Sequence, residues 1–261
     1  MITTTLTRGR LAVVVAVATI AIGATAAIAS SPGGQAAPSI SSADAIAAVQ
    51  SYAPAATSLS AASAMAARGP YFVVEGTGVA ANVDALDGTV RTLTLADRVP
   101  TDTTNLLSSS TALATATAFA AAHGLDTTGL SPEVALVDRG STIEYRVDFR
   151  LRINGALVPR AITISINPAT GAVFALTNLA HPYVTPPAPH INAAAAVAAA
   201  RSIVGDPTAA VESTDLLISF DASGAQALVW HVALSSVGAN GAVTLIEVDA
   251  LTGSSTVIGR G

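Results

Sequence analysis

The sequence predicts an α+β protein built from tandem units, each an Ala-rich helix packed on an antiparallel β-meander. Three observations lead there. One turn motif occurs three times at nearly equal spacing, Ala-rich segments bounded by polar residues and glycines precede it, and runs of strict apolar–polar alternation lie between.

The turn is a β-branched residue, an Asx, two spacers, Asp or Thr, then Gly. It reads Val83-Asp84-Ala85-Leu86-Asp87-Gly88, then Ile166-Asn167-Pro168-Ala169-Thr170-Gly171, then Val248-Asp249-Ala250-Leu251-Thr252-Gly253. The Asx positions are 84, 167 and 249, so the intervals are 167 − 84 = 83 and 249 − 167 = 82 residues. An Asx side chain can accept from a backbone N–H two residues on, and the glycine supplies the positive φ that closes a hairpin. One such turn is commonplace; three in register indicate a repeat.

Helices are expected at Ser41–Ser51, at Ser109–His123 before Gly124, and at Asn192–Val204 before Gly205. The polar starts suit N-caps and the glycines suit left-handed C-caps. A second short helix in the first unit is expected near Leu59–Ala67, ended by Gly69-Pro70. Alanine faces leave little side chain to hold these helices off the sheets they cover.

The clearest strand is Ile143–Ile153. Ile143, Tyr145, Val147, Phe149, Leu151 and Ile153 alternate with Glu144, Arg146, Asp148, Arg150 and Arg152, a period of two with one buried and one wet face. Asn154-Gly155 turns the chain into Ile162, Ile164 and Ile166. In the third unit the apolar rows are Leu216, Ile218 and Phe220, then Leu228, Trp230, Val232 and Leu234, then Thr244, Ile246 and Val248. Trp230 is expected at the centre of that unit's core, beside Ile218 and Ile246 and beneath the Ala-rich helix. These elements divide the chain into residues 30–98, 106–184 and 190–261, separated by a polar stretch over 96–107 and by a stiff linker holding Pro182, Pro186, Pro187 and Pro189.

Residues 1–29 are expected to be a signal peptide. Arg8 and Arg10 precede an uncharged run from Leu11 to Ile28, and Ala27-Ile28-Ala29 is a small-x-small cleavage site. An uncleaved anchor is the competing reading, since 18 residues is near the lower limit of a span. Cleavage removes two of the 12 cations and none of the 17 acids, leaving 10 − 17 = −7. A mildly acidic exported chain without a basic run has little attraction for nucleic acid or anionic lipid. All the cations are Arg, which nothing in the sequence explains. With no Cys there are no disulfides, thiolate metal sites or thiol nucleophile, and the fold must rest on packing.

The third unit resembles a PepSY domain through the helix Asn192–Val204, Leu216-Leu217-Ile218, Ala227–Val232 and Ile246–Gly253. The second resembles the companion propeptide domain of fungalysin and thermolysin precursors through Tyr145-Arg146-Val147, Ile153–Val158 and Ile166–Gly171. The first is a degenerate match carried by its turn. The resemblance implies tandem PepSY/cystatin-like units, and binding rather than chemistry: inhibition or assisted folding of a separately encoded secreted thermolysin-like metalloprotease. A structural or adhesive cell-envelope protein made of PepSY-like repeats is the alternative, and a remnant of a longer precursor a third.

No catalytic, cofactor-binding or metal-ligating set is predicted. Zinc proteolysis needs His-Glu-x-x-His, and His123, His181, His190 and His231 are scattered without it. His231 follows Trp230 and is expected on the solvent face. Asp84, Asn167 and Asp249 are read as turn formers rather than acids or ligands. The row Glu144, Arg146, Asp148, Arg150 and Arg152 is read as ion pairs on a wet surface, with a partner-docking face as the functional alternative.

Overall fold

Two of the predicted helices begin at the residues expected to cap them, Ser41 and Asn192, and the second is capped one residue earlier than expected, by Ser108 instead of Ser109. In α1 (Ser42–Tyr52), Ser41 Oγ accepts from Asp44 N at 3.2 Å and Asp44 Oδ2 accepts from Ser41 N at 2.9 Å, a reciprocal capping box. In α2 (Ser109–Ala122), Ser108 Oγ accepts from Thr111 N, and in α3 (Ala193–Val204), Asn192 Oδ1 accepts from Ala195 N. Gly205 closes α3 in the left-handed conformation, φ 72°. These are features of a computed structural model that describes residues 38–66, 69–95, 105–138, 142–180, 182–221, 224–235 and 243–260. The expected signal segment, most of the 96–107 separator and His181 lie outside the described residues.

Four strands follow each helix. They are β1 (Ser60–Ala66), β2 (Gly69–Gly76), β3 (Val79–Asp84) and β4 (Val90–Leu95) in the first repeat, and β5 (Ser131–Asp138), β6 (Ile143–Ile153), β7 (Ala156–Ile166) and β8 (Val173–Ala180) in the second. The third has β9 (Ala210–Phe220), β10 (Gln226–Ser235), β11 (Val243–Asp249) and β12 (Ser255–Arg260). The chain is α+β, as its residues predict.

The expected helix near Leu59–Ala67 is instead β1, paired antiparallel with β2 from Ser60 opposite Glu75 to Ala66 opposite Gly69. Alanine's helix preference is worth only tenths of a kcal/mol per residue, and a continuous ladder with β2 overrides it.

Chain contacts divide the protein into two compact units, one carrying the first two repeats and the other the third. In the former, β4 pairs antiparallel with β8, placing Leu93 opposite Leu176. One apolar cluster serves both repeats, with Ala45, Val49, Ala112 and Ala116 on the helices fully buried against Val83, Val147 and Ile164. The buried helical residues recur every fourth position, and their small size lets each backbone lie close on its sheet. Within this unit the Asn154-Gly155 turn (φ 51° and 81°) holds the linker, because Asn154 Nδ2 donates to Pro186 O at 3.0 Å.

In the C-terminal unit, Ala196 and Ala200 cover Val232, Leu234, Ile246 and Val248. Trp230 lies on the expected face but at the margin of this cluster, only partly buried, and Ile218 is not part of it. Val232 and Ile246, directly opposite one another, hold the centre. An indole is too large for the shallow space beneath an alanine-faced helix, and its N–H needs an acceptor. At the margin Trp230 Nε1 finds one, donating to Ile191 O at 3.1 Å.

Candidate functional site

The recurring polar residues are the first place to look for chemistry, and the structure accounts for them as turn formers. In every repeat the Asx side chain accepts from the backbone two residues on: Leu86 N to Asp84 Oδ1 at 2.7 Å, Ala169 N to Asn167 Oδ1 at 3.0 Å, Leu251 N to Asp249 Oδ1 at 2.9 Å. The Asx carbonyl accepts from the turn glycine, at 3.0, 2.9 and 2.9 Å in chain order. Gly88, Gly171 and Gly253 have φ of 77°, 77° and 81°. The Thr252 amide above all, with the Leu251 amide and the Thr252 hydroxyl, holds the Asp249 carboxyl below the usual carboxylate range against an opposing desolvation. Asp84 is buried and also paired with Arg91.

The same turn seats the helix that precedes it. The carbonyl after the Asx accepts from the chain just before the N-cap: Ile40 N to Ala85 O, Leu107 N to Pro168 O, Ile191 N to Ala250 O. The side chains of Ile40, Leu107 and Ile191 lie over the turn glycines, so a Cβ at Gly171 would stand 3.2 Å from Leu107 Cδ1. Gly171→Val adds that contact to a positive φ, and it is expected to destabilise the second repeat by roughly 1–3 kcal/mol. Urea unfolding followed by circular dichroism checks this, and an unchanged midpoint would remove the turn's structural role.

An aromatic residue completes each seat. Phe72, Tyr145 and Trp230 all stand opposite the residue before the Asx, namely Val83, Ile166 and Val248. Tyr145 Oη donates to Leu107 O at 2.7 Å, just as Trp230 donates to Ile191 O. Phe72 has no donor to offer. The sequence hides this equivalence, because the aromatic precedes its Asx by 12, 22 and 19 residues (84 − 72, 167 − 145 and 249 − 230). The hairpins between them differ in length.

The charged row on β6 departs from expectation. Its apolar face is as predicted, with Ile143, Tyr145, Val147 and Phe149 buried, but Glu144 and Asp148 are buried too, at 8% and 4% exposed. Asp148 Oδ2 accepts from Arg146 Nε at 2.9 Å and Arg150 Nη2 at 3.0 Å, while Oδ1 accepts from Thr163 Oγ1 at 2.6 Å across the ladder. The arginines reach Asp148 from either side along one strand face. Arg146, Asp148 and Arg150 therefore form one connected network centred on a buried carboxylate, while Arg152, further along the strand, is exposed and lies 3.8 Å from Glu133.

The histidines remain dispersed. His123, at the end of α2, stacks on Tyr52 with ring centroids 4.2 Å apart and meets Phe119 at 4.4 Å, and burial pushes its imidazole below the ordinary range. His190 uses its backbone N–H on Ala250 O. His231 is partly rather than fully exposed, with Nε2 3.2 Å from Oε2 of its cross-strand partner Glu247. Among the described residues, no three His, Asp or Glu side chains gather as a metal site would need.

No family model matches the chain, and no curated protein matches it. Among solved structures it is similar to the Bacillus megaterium YpeB C-terminal domain, at 15% identity and a TM-score of 0.47, over 84% of this chain and 98% of that one. The α+β class rests on this chain's own helices and ladders. Among its described residues no helix is long and apolar enough to cross a membrane.

What sequence reasoning missed is the seat as a unit: apolar residue, N-cap, aromatic and Asx turn. A signal was there in the pairs Ile40-Ser41, Leu107-Ser108 and Ile191-Asn192, an apolar residue followed by a cap in each repeat.

Proposed function

We propose that this chain is an exported, non-catalytic binding module of propeptide type, which inhibits or assists the folding of a separately encoded secreted metalloprotease. The observation that carries the reading is the use to which the recurring polar residues are put. Asp84, Asn167 and Asp249, with the caps Ser41, Ser108 and Asn192, are engaged in turns and helix starts within each repeat. A chain whose repeated polar positions are architectural offers surface for recognition, and the propeptide resemblance of the second and third repeats suggests the partner. Recognition of this kind draws on area and backbone pairing rather than on one reactive side chain. The export reading, secreted or in the envelope, is supported by the Arg8/Arg10 flank, the uncharged run and the Ala27-Ile28-Ala29 site in residues 1–29.

The test titrates the exported protein against thermolysin-like proteases from the same culture medium, following cleavage of a peptide substrate and, in parallel, recovery of activity by the denatured proteases. Slowed cleavage or improved recovery at micromolar protein is expected. No change in either would transfer the reading to a structural envelope protein built from the same repeats.

A further inference from the structure

The last strand of each repeat is β4, β8 or β12, and the first two share a symmetric bond. Leu93 of β4 stands opposite Leu176 of β8, with Thr92 opposite Thr177 and Thr94 opposite Ala175. Leu93 is 93 − 84 = 9 residues past its Asx, and Leu176 is 176 − 167 = 9 past its own. Equivalent residues therefore meet at the centre of an antiparallel ladder, which is the signature of a local twofold axis. Like strand binds like strand through the edge that its own meander leaves free.

The third repeat has the corresponding strand, with its bulge further along the ladder than in β4 and β8. β12 pairs with β11 and, among the described residues, with no other strand. By ladder position Val257, opposite Ile246, is the counterpart of Leu93 opposite Ala81 and of Leu176 opposite Ile164; it is 257 − 249 = 8 residues past its Asx because the bulge here follows it instead of preceding it. Ser255 to Gly259 carries no charge and no proline, and Ile258, the extra residue of a bulge, is 46% exposed. Edge strands that must stay single usually carry charge or proline, since unpaired backbone groups invite another strand. Between Ser255 and Gly259 β12 has neither charge nor proline; its bulge at Ile258 and the charge of Arg260 both fall to one side of Val257.

We infer that β12 is a homodimer edge: two copies of this chain join β12 to β12 antiparallel about a twofold axis at Val257, repeating between chains the bond that β4 and β8 make within one. A twofold interface is self-complementary, with each residue meeting its symmetric counterpart. In this register Thr256 of one copy faces Ile258 of the other, and Val257 faces Val257. The occupant is a second copy rather than a foreign peptide because this chain already pairs these equivalent strands with each other.

Sedimentation equilibrium of the exported protein at high micromolar concentration is expected to give twice the chain mass. Thr256→Lys and Ile258→Lys, at exposed positions, place like charges across the axis and are expected to return the single-chain mass with the circular dichroism and melting curve kept. The chain has no cysteine, so Val257→Cys supplies a register probe, expected to give a covalent dimer on mild oxidation. A wild-type protein of single-chain mass would overturn the inference, as would a dimer that survives both lysine substitutions. Neither outcome bears on whether a protease is bound, so the two proposals fail separately.

Discussion

Asp148→Ala is expected to destabilise the unit containing the first two repeats by about 2–4 kcal/mol, more than any surface ion pair would be worth. The carboxylate is 4% exposed and serves three donors, Arg146 Nε, Arg150 Nη2 and Thr163 Oγ1. Removing it leaves two guanidinium groups facing each other along one strand face with nothing between them. Their side chains are 12% and 24% exposed, so each recovers some hydration by moving outward, which keeps the cost below that of a fully buried orphaned charge. Asp148→Asn keeps the size and the bond from Thr163 but loses the charge, so it should fall between Ala and wild type. Urea unfolding followed by far-ultraviolet circular dichroism measures both. If Asp148→Ala shifted the transition by no more than a few tenths of a kcal/mol, the row would be the wet surface that alternation alone suggests.

Trp230→Ala should cost the C-terminal unit about 2–4 kcal/mol, by removing the wall of its core and the bond to Ile191 O. The marginal place of the indole puts this below the loss expected for a central aromatic, since part of the space it leaves opens to water. Trp230→Phe keeps most of the ring and drops only the N–H, as Phe72 does in the first repeat, and is expected to cost about 1 kcal/mol. Trp230 is the only tryptophan, so unfolding of these variants is followed by circular dichroism, while in wild type its emission reports this unit alone. A Phe variant as damaged as the Ala variant would show that the hydrogen bond to the helix seat, rather than packing, is what the indole contributes.

Both expectations turn on burial, which is where local pattern and tertiary structure part. The order of the residues by itself determined the three turns, because an Asx two residues before its acceptor amide and a glycine at positive φ are properties of a few consecutive residues. It determined the three helices for the same reason, since Ser41 and Asn192 cap with their own side chains, Ser108 caps one residue before the expected start of the second, and small apolar residues four apart make one inward face. It determined the parity of β6 and β10, because the pleat fixes which residues share a side. It did not determine β1, where the ladder with β2 outweighs alanine's helix preference, nor that Asp148 is buried, since alternation assigns a face without saying what covers it. The common aromatic seat of Phe72, Tyr145 and Trp230 was also hidden, because hairpins of unequal length separate each ring from its turn. That β4 bonds β8, Leu93 against Leu176, was decided only when strands 83 residues apart in the chain came to share a ladder. Backbone pairing partners are chosen by which edges remain free after each meander forms, and that is a property of the assembled sheet rather than of any segment within it.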